Sequence, residues 1–144
     1  MKRRQIRRTY LALVDGVLPE SGVVDAPIAR MEESVITREV NFETGEFART
    51  HYRRLEYKNG YSLVSLKLDT GRTHQIRVHM AYIGYPIYND PVYGKRKQTT
   101  SFGQFLHSKK ISFTHPITGK LIEKEVDLPE EFQNYLDEIN IQEQ

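Results

Sequence analysis

The chain has 144 residues, 38% hydrophobic and 28% charged, and no cysteine. This size and composition predict one globular domain spanning residues 1–144, and the lack of cysteine excludes disulfides, thiolate nucleophiles and cysteine-based metal sites. No apolar run is long enough to cross a membrane and the basic N-terminal residues lack the apolar stretch of a signal peptide, so we expect a cytoplasmic protein without a membrane partner.

The net charge of +2 conceals an uneven distribution along the chain. Residues 1–120 contain 20 of the 21 lysines and arginines but only 11 of the 19 acids, a balance of +9. Residues 121–144 contain eight acids and one base, Lys124, a balance of −7. A basic body favours a polyanionic partner, and the alternative is ordinary solvated surface charge.

Turn residues and alternation predict mostly strands in the first half of the chain. The stretch at residues 15–22 has two glycines and a proline and is predicted to be a loop, whereas residues 25–28 are extended because a residue before proline avoids the helical region. Asn59 and Gly60 predict a hairpin with a type I′ turn, since both tolerate positive φ. The predicted strands are residues 9–14, 35–40, 47–57 and 61–68.

The second half of the chain predicts two helices and two further strands. The first helix has Thr73 as its N-cap and ends near Gly84, because Ile76, Met80 and Ile83 recur at the i, i+4, i+7 spacing of one helix face. Hairpin-joined strands with two helices indicate an α+β domain with a mostly antiparallel, mixed sheet. The later elements are a loop at residues 84–94, strands at residues 111–113 and 121–126 with a turn at residues 116–120, and a helix at residues 130–139 that follows Pro129.

The segment T-G-R-T-H-Q-I-R-V-H, residues 70–79, organises the chain around a turn that opens a helix. His74 and Arg77 share one face of this helix, and Arg72 lies in the turn before it. Donors that converge at a turn-to-helix junction suit an anionic or phosphate-bearing partner. A surface helix with solvated charges is the alternative.

Other candidate catalytic and metal-binding groups are few. His74 and His79 are five residues apart, which is not the i, i+4 pairing of a helical zinc motif, so no metal site is predicted. Asp69 is either an activated carboxylate or, as we favour, a strand-end acid paired with Arg72. Tyr10, at the start of a strand, either stacks on a base or fills the core, and the core is favoured for an isolated tyrosine.

Seven short segments carry a more specific signal. Together they resemble the RluA-type family of RNA pseudouridine synthases, and the segment at residues 70–80 is the most specific of them. The chain departs from that family at Tyr85, where histidine is usual, and at Asn89, where glycine is usual. The segments are R-T-Y-L-A-L-V-D-G (8–16), D-A-P-I (25–28), G-E-F-A-R-T (45–50), T-G-R-T-H-Q-I-R-V-H-M (70–80), G-Y-P-I-Y-N-D-P-V-Y-G (84–94), L-H-S (106–108) and F-T-H-P-I-T-G (113–119).

The resemblance implies isomerisation of uridine in ribosomal or transfer RNA, with no cofactor or metal. Tyr10 matches the aromatic residue that packs on the uracil, and Leu106 matches the apolar residue that closes the pocket. Arg77 matches the arginine that pairs with the nucleophilic aspartate and keeps it ionised. The residues predicted to contact RNA, by charge or position, are Arg72, His74, Arg49, Arg53, Lys95, Arg96 and Lys97.

One departure from the family concerns the nucleophile itself. The family carries its aspartate in a segment R-L-D-x-x-T-S-G well before the tyrosine that Tyr10 matches, and the nine residues before Tyr10 contain no acid. We therefore expect the C-terminal part of a synthase catalytic domain, inactive alone; a non-catalytic RNA-binding remnant of the same fold is the alternative. Without the strands of that segment a sheet edge would be uncovered, which predicts self-association, most simply as a twofold homodimer.

Overall fold

The structure is a computed structural model that describes residues 6–34, 36–94 and 100–141. Six of the strands form one sheet in the order β2-β5-β6-β1-β7-β8, and β3 pairs with β4 in a separate hairpin. This arrangement confirms the predicted α+β class. The elements of these residues are β1 Ile6–Asp15, β2 Ser21–Asp25, β3 Ile28–Arg30, β4 Arg38–Val40, β5 Arg49–Lys58, β6 Tyr61–Leu68, α1 Gln75–Tyr82, β7 Leu106–Thr114, β8 Leu121–Glu125 and α2 Glu130–Glu138.

Strand β1 lies in the interior of the sheet, between β6 and β7. Every described pair of strands is antiparallel, so the parallel part of the predicted mixed sheet is not seen in the described residues. The hairpin between β5 and β6 turns at Asn59 and Gly60, whose φ angles of 55° and 82° confirm the predicted type I′ turn. The edge strands of the described sheet are β2 and β8.

The two helices pack on opposite faces of this sheet. The face that carries Tyr10 and Leu66, which are paired in register, also carries Thr50, and Thr50 contacts His79 of α1. Tyr61 points to the other face because side chains alternate along β6, and its hydroxyl lies 3.0 Å from that of Tyr135 in α2. Neither described helix is long and apolar enough to span a membrane. The largest fully buried core side chains include Phe132, Leu13, Leu63, Leu66, Met80 and Leu136.

Helix α1 begins later than the sequence predicts, and Thr73 is not its N-cap. His74 occupies that position in a left-handed conformation, with φ at 59° and no side-chain cap. The end is closer to prediction: Gly84, at φ 96°, donates its N–H to the carbonyl of Ala81, and Tyr85 donates to that of Met80. These two bonds form a Schellman motif, which ends the helix at the predicted glycine.

Several predicted boundaries differ from the structure. Strand β2, Ser21–Asp25, was missed because it lies across a predicted loop and an extended segment, and it is held at the edge by pairing with β5. Strand β4 is shorter than the strand predicted at residues 35–40, and Val35 lies outside the described residues. Strand β7 is longer than predicted because β1 pairs with it from Ile6 to Ala12.

Candidate active site

A cavity of about 190 Å³ opens on the sheet face that carries Tyr10. Tyr10 comes from β1, Leu106 from the start of β7 and Arg77 from α1, and all three line this cavity. Ile76 and Leu68 supply further apolar wall. The volume is below the roughly 300–1,000 Å³ of pockets for drug-sized ligands, so the cavity suits a group the size of a single base.

The register of the sheet explains why these side chains meet. Tyr10 pairs with Leu66 on one side and with Ser108 on the other, so it lies in the middle of the sheet. Leu106 pairs with Ala12, two residues after Tyr10, and side chains two residues apart share a face. Helix α1 packs over that face and brings Arg77 to the same opening.

Arg77 is held by a buried carboxylate. Its Nε and Nη2 donate to the two carboxylate oxygens of Asp90, both at 2.8 Å, and the Arg77 and Asp90 side chains are 11% and 0% exposed. Burial raises the pKa of Asp90, but hydrogen bonds from Arg77 and from the backbone of Tyr93 and Val92 outweigh it, so the pKa lies below its ordinary value. Asp90 is therefore ionised, and the pair leaves Nη1 of Arg77 for another acceptor.

Tyr93 joins three parts of the site. Its ring lies against the guanidinium of Arg77, 5.2 Å from ring centre to Cζ. Its hydroxyl accepts the backbone N–H of Arg38 at 2.8 Å and lies 2.7 Å from Nδ1 of His74. Burial, followed by the charges of Arg77 and Arg38, lowers the pKa of His74, so His74 is neutral at pH 7 and accepts the proton of the Tyr93 hydroxyl.

The turn before α1 is fixed by the buried side chain of Gln75. Its Oε1 accepts from the hydroxyl of Thr70 at 2.7 Å and from the backbone N–H of Arg72 at 3.0 Å. Its Nε2 donates to the carbonyl of Arg49 at 3.0 Å and to the hydroxyl of Thr50 at 2.9 Å. All four hydrogen-bonding positions of the amide are used, so the turn is tied to β5.

His79 continues this network into the core. Its Nε2 lies 2.8 Å from the carbonyl of Ala26, which can only accept, so Nε2 carries the proton. Its Nδ1 then accepts from the hydroxyl of Thr50 at 2.8 Å. Burial lowers the pKa of His79 although the hydrogen bond to Ala26 opposes this, so the ring is neutral and structural. No group of three or more His, Asp or Glu side chains in the described part of the chain is placed to hold a metal ion.

Comparison with known proteins identifies the family. The model of the RNA pseudouridylate synthase family matches residues 1–82 of this chain. An uncharacterized RNA pseudouridine synthase of Chloroflexus aurantiacus is 45% identical over 131 residues, covering 90% of this chain and 41% of that protein. The ribosomal large subunit pseudouridine synthase D of Nitrosomonas europaea is 42% identical over 147 residues, covering 96% of this chain and 42% of that protein.

The chain belongs to the RluA-type RNA pseudouridine synthases. Two solved human structures share its fold, each at 22% sequence identity. Human RNA pseudouridylate synthase domain containing 1 has a TM-score of 0.73, and human RNA pseudouridylate synthase domain containing 4 has a TM-score of 0.76. The matches cover 66% and 64% of those two structures, respectively, and 95% and 96% of this chain. The chain spans less than half the length of the curated relatives described above.

The site residues predicted from the sequence fall into two groups in space. Arg72 and His74 line the same cavity as Tyr10, Arg77 and Leu106. The predicted RNA contacts Arg49 and Arg53 do not: Arg53 lines a groove on the opposite sheet face, and Arg49 pairs with Asp69 at 2.6 Å and with Asp25 at 3.7 Å. The remaining three predicted contacts, Lys95, Arg96 and Lys97, lie outside the described residues.

The predicted pairing of Asp69 with Arg72 is wrong. Asp69 accepts hydrogen bonds from Nε of Arg49 at 2.6 Å and from Nε2 of His51 at 2.8 Å, and the His51 bond and then the Arg49 bond lower its pKa. Arg72 instead donates to the carbonyl of Phe47 at 2.8 Å. The cause is the pairing of β5 with β6, which places β5 side chains beside the end of β6.

Sequence reasoning missed three residues that hold the site together: Gln75, Asp90 and Tyr93. All three lie inside segments that carry the family resemblance, but no role followed from their position in the sequence. The signal for Asp90 is local, since an aspartate before a proline begins turns, and its Oδ1 accepts the N–H groups of Val92 and Tyr93 at 2.9 and 3.0 Å. Its pairing with Arg77, 13 residues away, needed the fold.

Proposed function

We propose that this chain forms the base-binding side of the active site of an RNA pseudouridine synthase. The observation that carries the proposal is the convergence of Tyr10, Arg77 and Leu106 on one cavity. These residues come from β1, α1 and β7, which are far apart in sequence. They are the three positions to which the family resemblance gives catalytic roles.

Each side chain has a distinct part in this proposal. A uridine has to leave its stack to reach the cavity, and the ring of Tyr10 then packs on the uracil. Leu106 provides an apolar wall that excludes water from the base. The Nη1 donors of Arg77 face the carboxylate nucleophile, and a cation beside it favours the ionised form that attacks the nucleoside.

The nucleophile itself is proposed to come from a segment of the R-L-D-x-x-T-S-G form. Among the described residues no carboxylate lines the cavity of Tyr10 and Arg77. Asp90 accepts hydrogen bonds from Nε and Nη2 of Arg77. Asp69, which lines an adjoining cavity, is hydrogen-bonded to Arg49 and His51. Neither acid is placed to attack a nucleoside, so we expect this chain alone to be inactive.

The substrate and the oligomeric state are further parts of the proposal. Several relatives are named ribosomal large subunit pseudouridine synthase D, which supports ribosomal RNA as the substrate ahead of transfer RNA. Self-association through a sheet edge stays a prediction, and the edges to consider are β2 and β8, whose Val23 and Leu121 are 53% and 66% exposed. Sedimentation at micromolar concentrations would show a concentration-dependent dimer if either edge is used, and a monomer throughout would exclude it.

Photo-crosslinking tests where the base binds. A short single-stranded RNA with one 4-thiouridine is irradiated with the chain, and the crosslinked peptides are mapped. We expect crosslinks at Tyr10, Ile76 or Leu106, and fewer when the same base is held in a stable duplex, because it then has to be unstacked. Crosslinks confined to the opposite sheet face, near Arg53 and Lys67, would overturn the proposal.

A further inference from the structure

A second groove, of about 480 Å³, adjoins the active-site cavity. It lies between the hairpin of β3 and β4 and the turn that precedes α1, and three arginines line it: Arg30, Arg38 and Arg72. Gly71 and Arg72 line both the groove and the cavity of Tyr10 and Arg77, so the two openings are neighbours.

The register of β3 and β4 places two of these arginines in an unfavourable arrangement. Arg30 and Arg38 are directly opposite each other across the antiparallel pair, and both line the groove. Like charges in directly opposite positions destabilise a strand pair, and an anion between them would relieve the repulsion. The acid that lines the groove in the described chain is Glu46, whose side chain is 73% exposed and 3.5 Å from Arg72. Among the described residues that line the groove, arginines therefore outnumber carboxylates.

Tyr93 fixes this groove relative to the active site. Its hydroxyl accepts the backbone N–H of Arg38 in β4, while its ring lies against Arg77. Tyr93 therefore connects the hairpin that carries Arg30 and Arg38 to the guanidinium of Arg77. Tyr93 also packs, with Val40 of β4, against the buried cluster of Ile28, Ala48 and Val78, so the hairpin is held against α1 by several contacts.

We propose that this groove binds the phosphodiester groups of the RNA strand next to the uridine that enters the cavity. The inference rests on the proposed function, and it adds Arg30 and Arg38 to the residues that the sequence indicated. Guanidinium groups suit phosphate oxygens because their planar fork donates two parallel hydrogen bonds. Because the two openings meet at Gly71 and Arg72, a strand that places its base against Tyr10 brings its neighbouring phosphates toward Arg30, Arg38 and Arg72.

The first test compares two double variants of equal charge change. Arg30→Gln with Arg38→Gln removes the opposed pair, and Lys58→Gln with Lys120→Gln removes two exposed lysines away from the site. Binding to a short RNA with one uridine is followed by fluorescence anisotropy over a salt series. We expect the arginine variant to bind about tenfold more weakly at low salt and to lose about one unit of salt slope per arginine, with a much smaller loss for the lysine variant. Equal losses in the two variants would overturn the proposal.

The second test needs no variant and so does not depend on the variant folding. Single neutral methylphosphonate linkages replace the phosphodiesters of the RNA one at a time. We expect the unmodified chain to lose affinity when a linkage next to the uridine is neutral, and to keep its affinity when a linkage farther away is neutral. A flat profile around the uridine would overturn the proposal.

The outcomes also separate this inference from the proposed function. If RNA still crosslinks to Tyr10 but neither the arginine variant nor the neutral linkages weaken binding, the groove proposal fails and the function stands. If the unmodified chain binds no RNA, both fail. The melting temperature of the arginine variant is measured alongside, so that any loss of binding is read from folded protein.

Discussion

Arg77 and Asp90 form a two-point ion pair, with Nε and Nη2 of the arginine each 2.8 Å from a carboxylate oxygen. The pair fixes both the position and the rotation of the guanidinium, because two parallel bonds leave it no freedom to turn. Asp90 is itself fixed by two backbone N–H groups of its own turn. The Nη1 side of Arg77 is thereby held in one orientation.

Replacing Asp90 with asparagine tests this relationship. The substitution keeps the shape of the side chain but removes the charge that balances a mostly buried guanidinium. We expect a loss of about 3 kcal/mol in the free energy of unfolding, because removing one partner of a buried pair leaves the other charge uncompensated. Urea unfolding measures the loss.

Asp69→Asn is the matched control for that prediction. Asp69 also accepts from the Nε of an arginine, Arg49, but the two side chains are 38% and 41% exposed. Exposed ion pairs contribute little because water screens them. We therefore expect Asp69→Asn to destabilise the fold far less, and equal effects of the two substitutions would contradict a special role for Asp90.

The amide of Gln75 provides a second prediction. Gln75→Leu keeps the size of the side chain but removes four hydrogen bonds, two to the turn before α1 and two to β5. We expect a loss of about 3 kcal/mol, because several buried donors and acceptors lose their partners together. The control is Gln133→Leu on α2, where the amide donates to the carboxylate of Asp137 at the surface. Similar urea midpoints for the two variants would show that the network is not stabilising.

The third prediction concerns the dependence of stability on pH. The folded pKa of His79 and that of His74 are lowered, so below about pH 6.5 the unfolded chain binds protons that the folded chain excludes. Stability should therefore fall as pH decreases from 7 to 5. The lowered pKa values of Asp69 and Asp90 affect the stability only near pH 4 and below, which is outside this pH range.

Histidine variants separate this effect from general acid sensitivity. His79→Gln should flatten the decline between pH 7 and pH 5, leaving the part due to His74. His107→Gln, which replaces a half-exposed ring on β7, serves as the control for loss of a histidine elsewhere. A decline as steep in His79→Gln as in the unmodified chain would refute the assignment.

Local signals in the sequence predicted the elements that local physics decides. The turn at Asn59 and Gly60 adopts positive φ at both residues, and the strand that follows it, Tyr61–Leu68, has the predicted bounds. Turn chemistry and alternation depend on adjacent residues, so they can be recognised without the fold. The stop of α1 at Gly84 is another signal of this kind.

Elements set by distant contacts could not be predicted in the same way. The start of α1 was misplaced because Gln75, bonded to β5, decides the conformation of the turn more than Thr73 does. The family resemblance indicated Arg77 but not its partner Asp90. Likewise, the opposition of Arg30 and Arg38 depends on the register of two short strands, which no local pattern specifies.

The most direct test of the central claim is pseudouridine formation by a joined protein. This chain would replace the matching part of its 45%-identical Chloroflexus aurantiacus relative, so that the rest of that protein can supply the segment proposed to carry the nucleophile. With ribosomal RNA as substrate, we predict activity in the joined protein, none in this chain alone, and a loss of about a hundredfold or more when Arg77 is replaced by alanine. Pseudouridine formed at enzymatic rates by this chain alone, or undiminished activity after Tyr10→Ala and Arg77→Ala, would contradict the account.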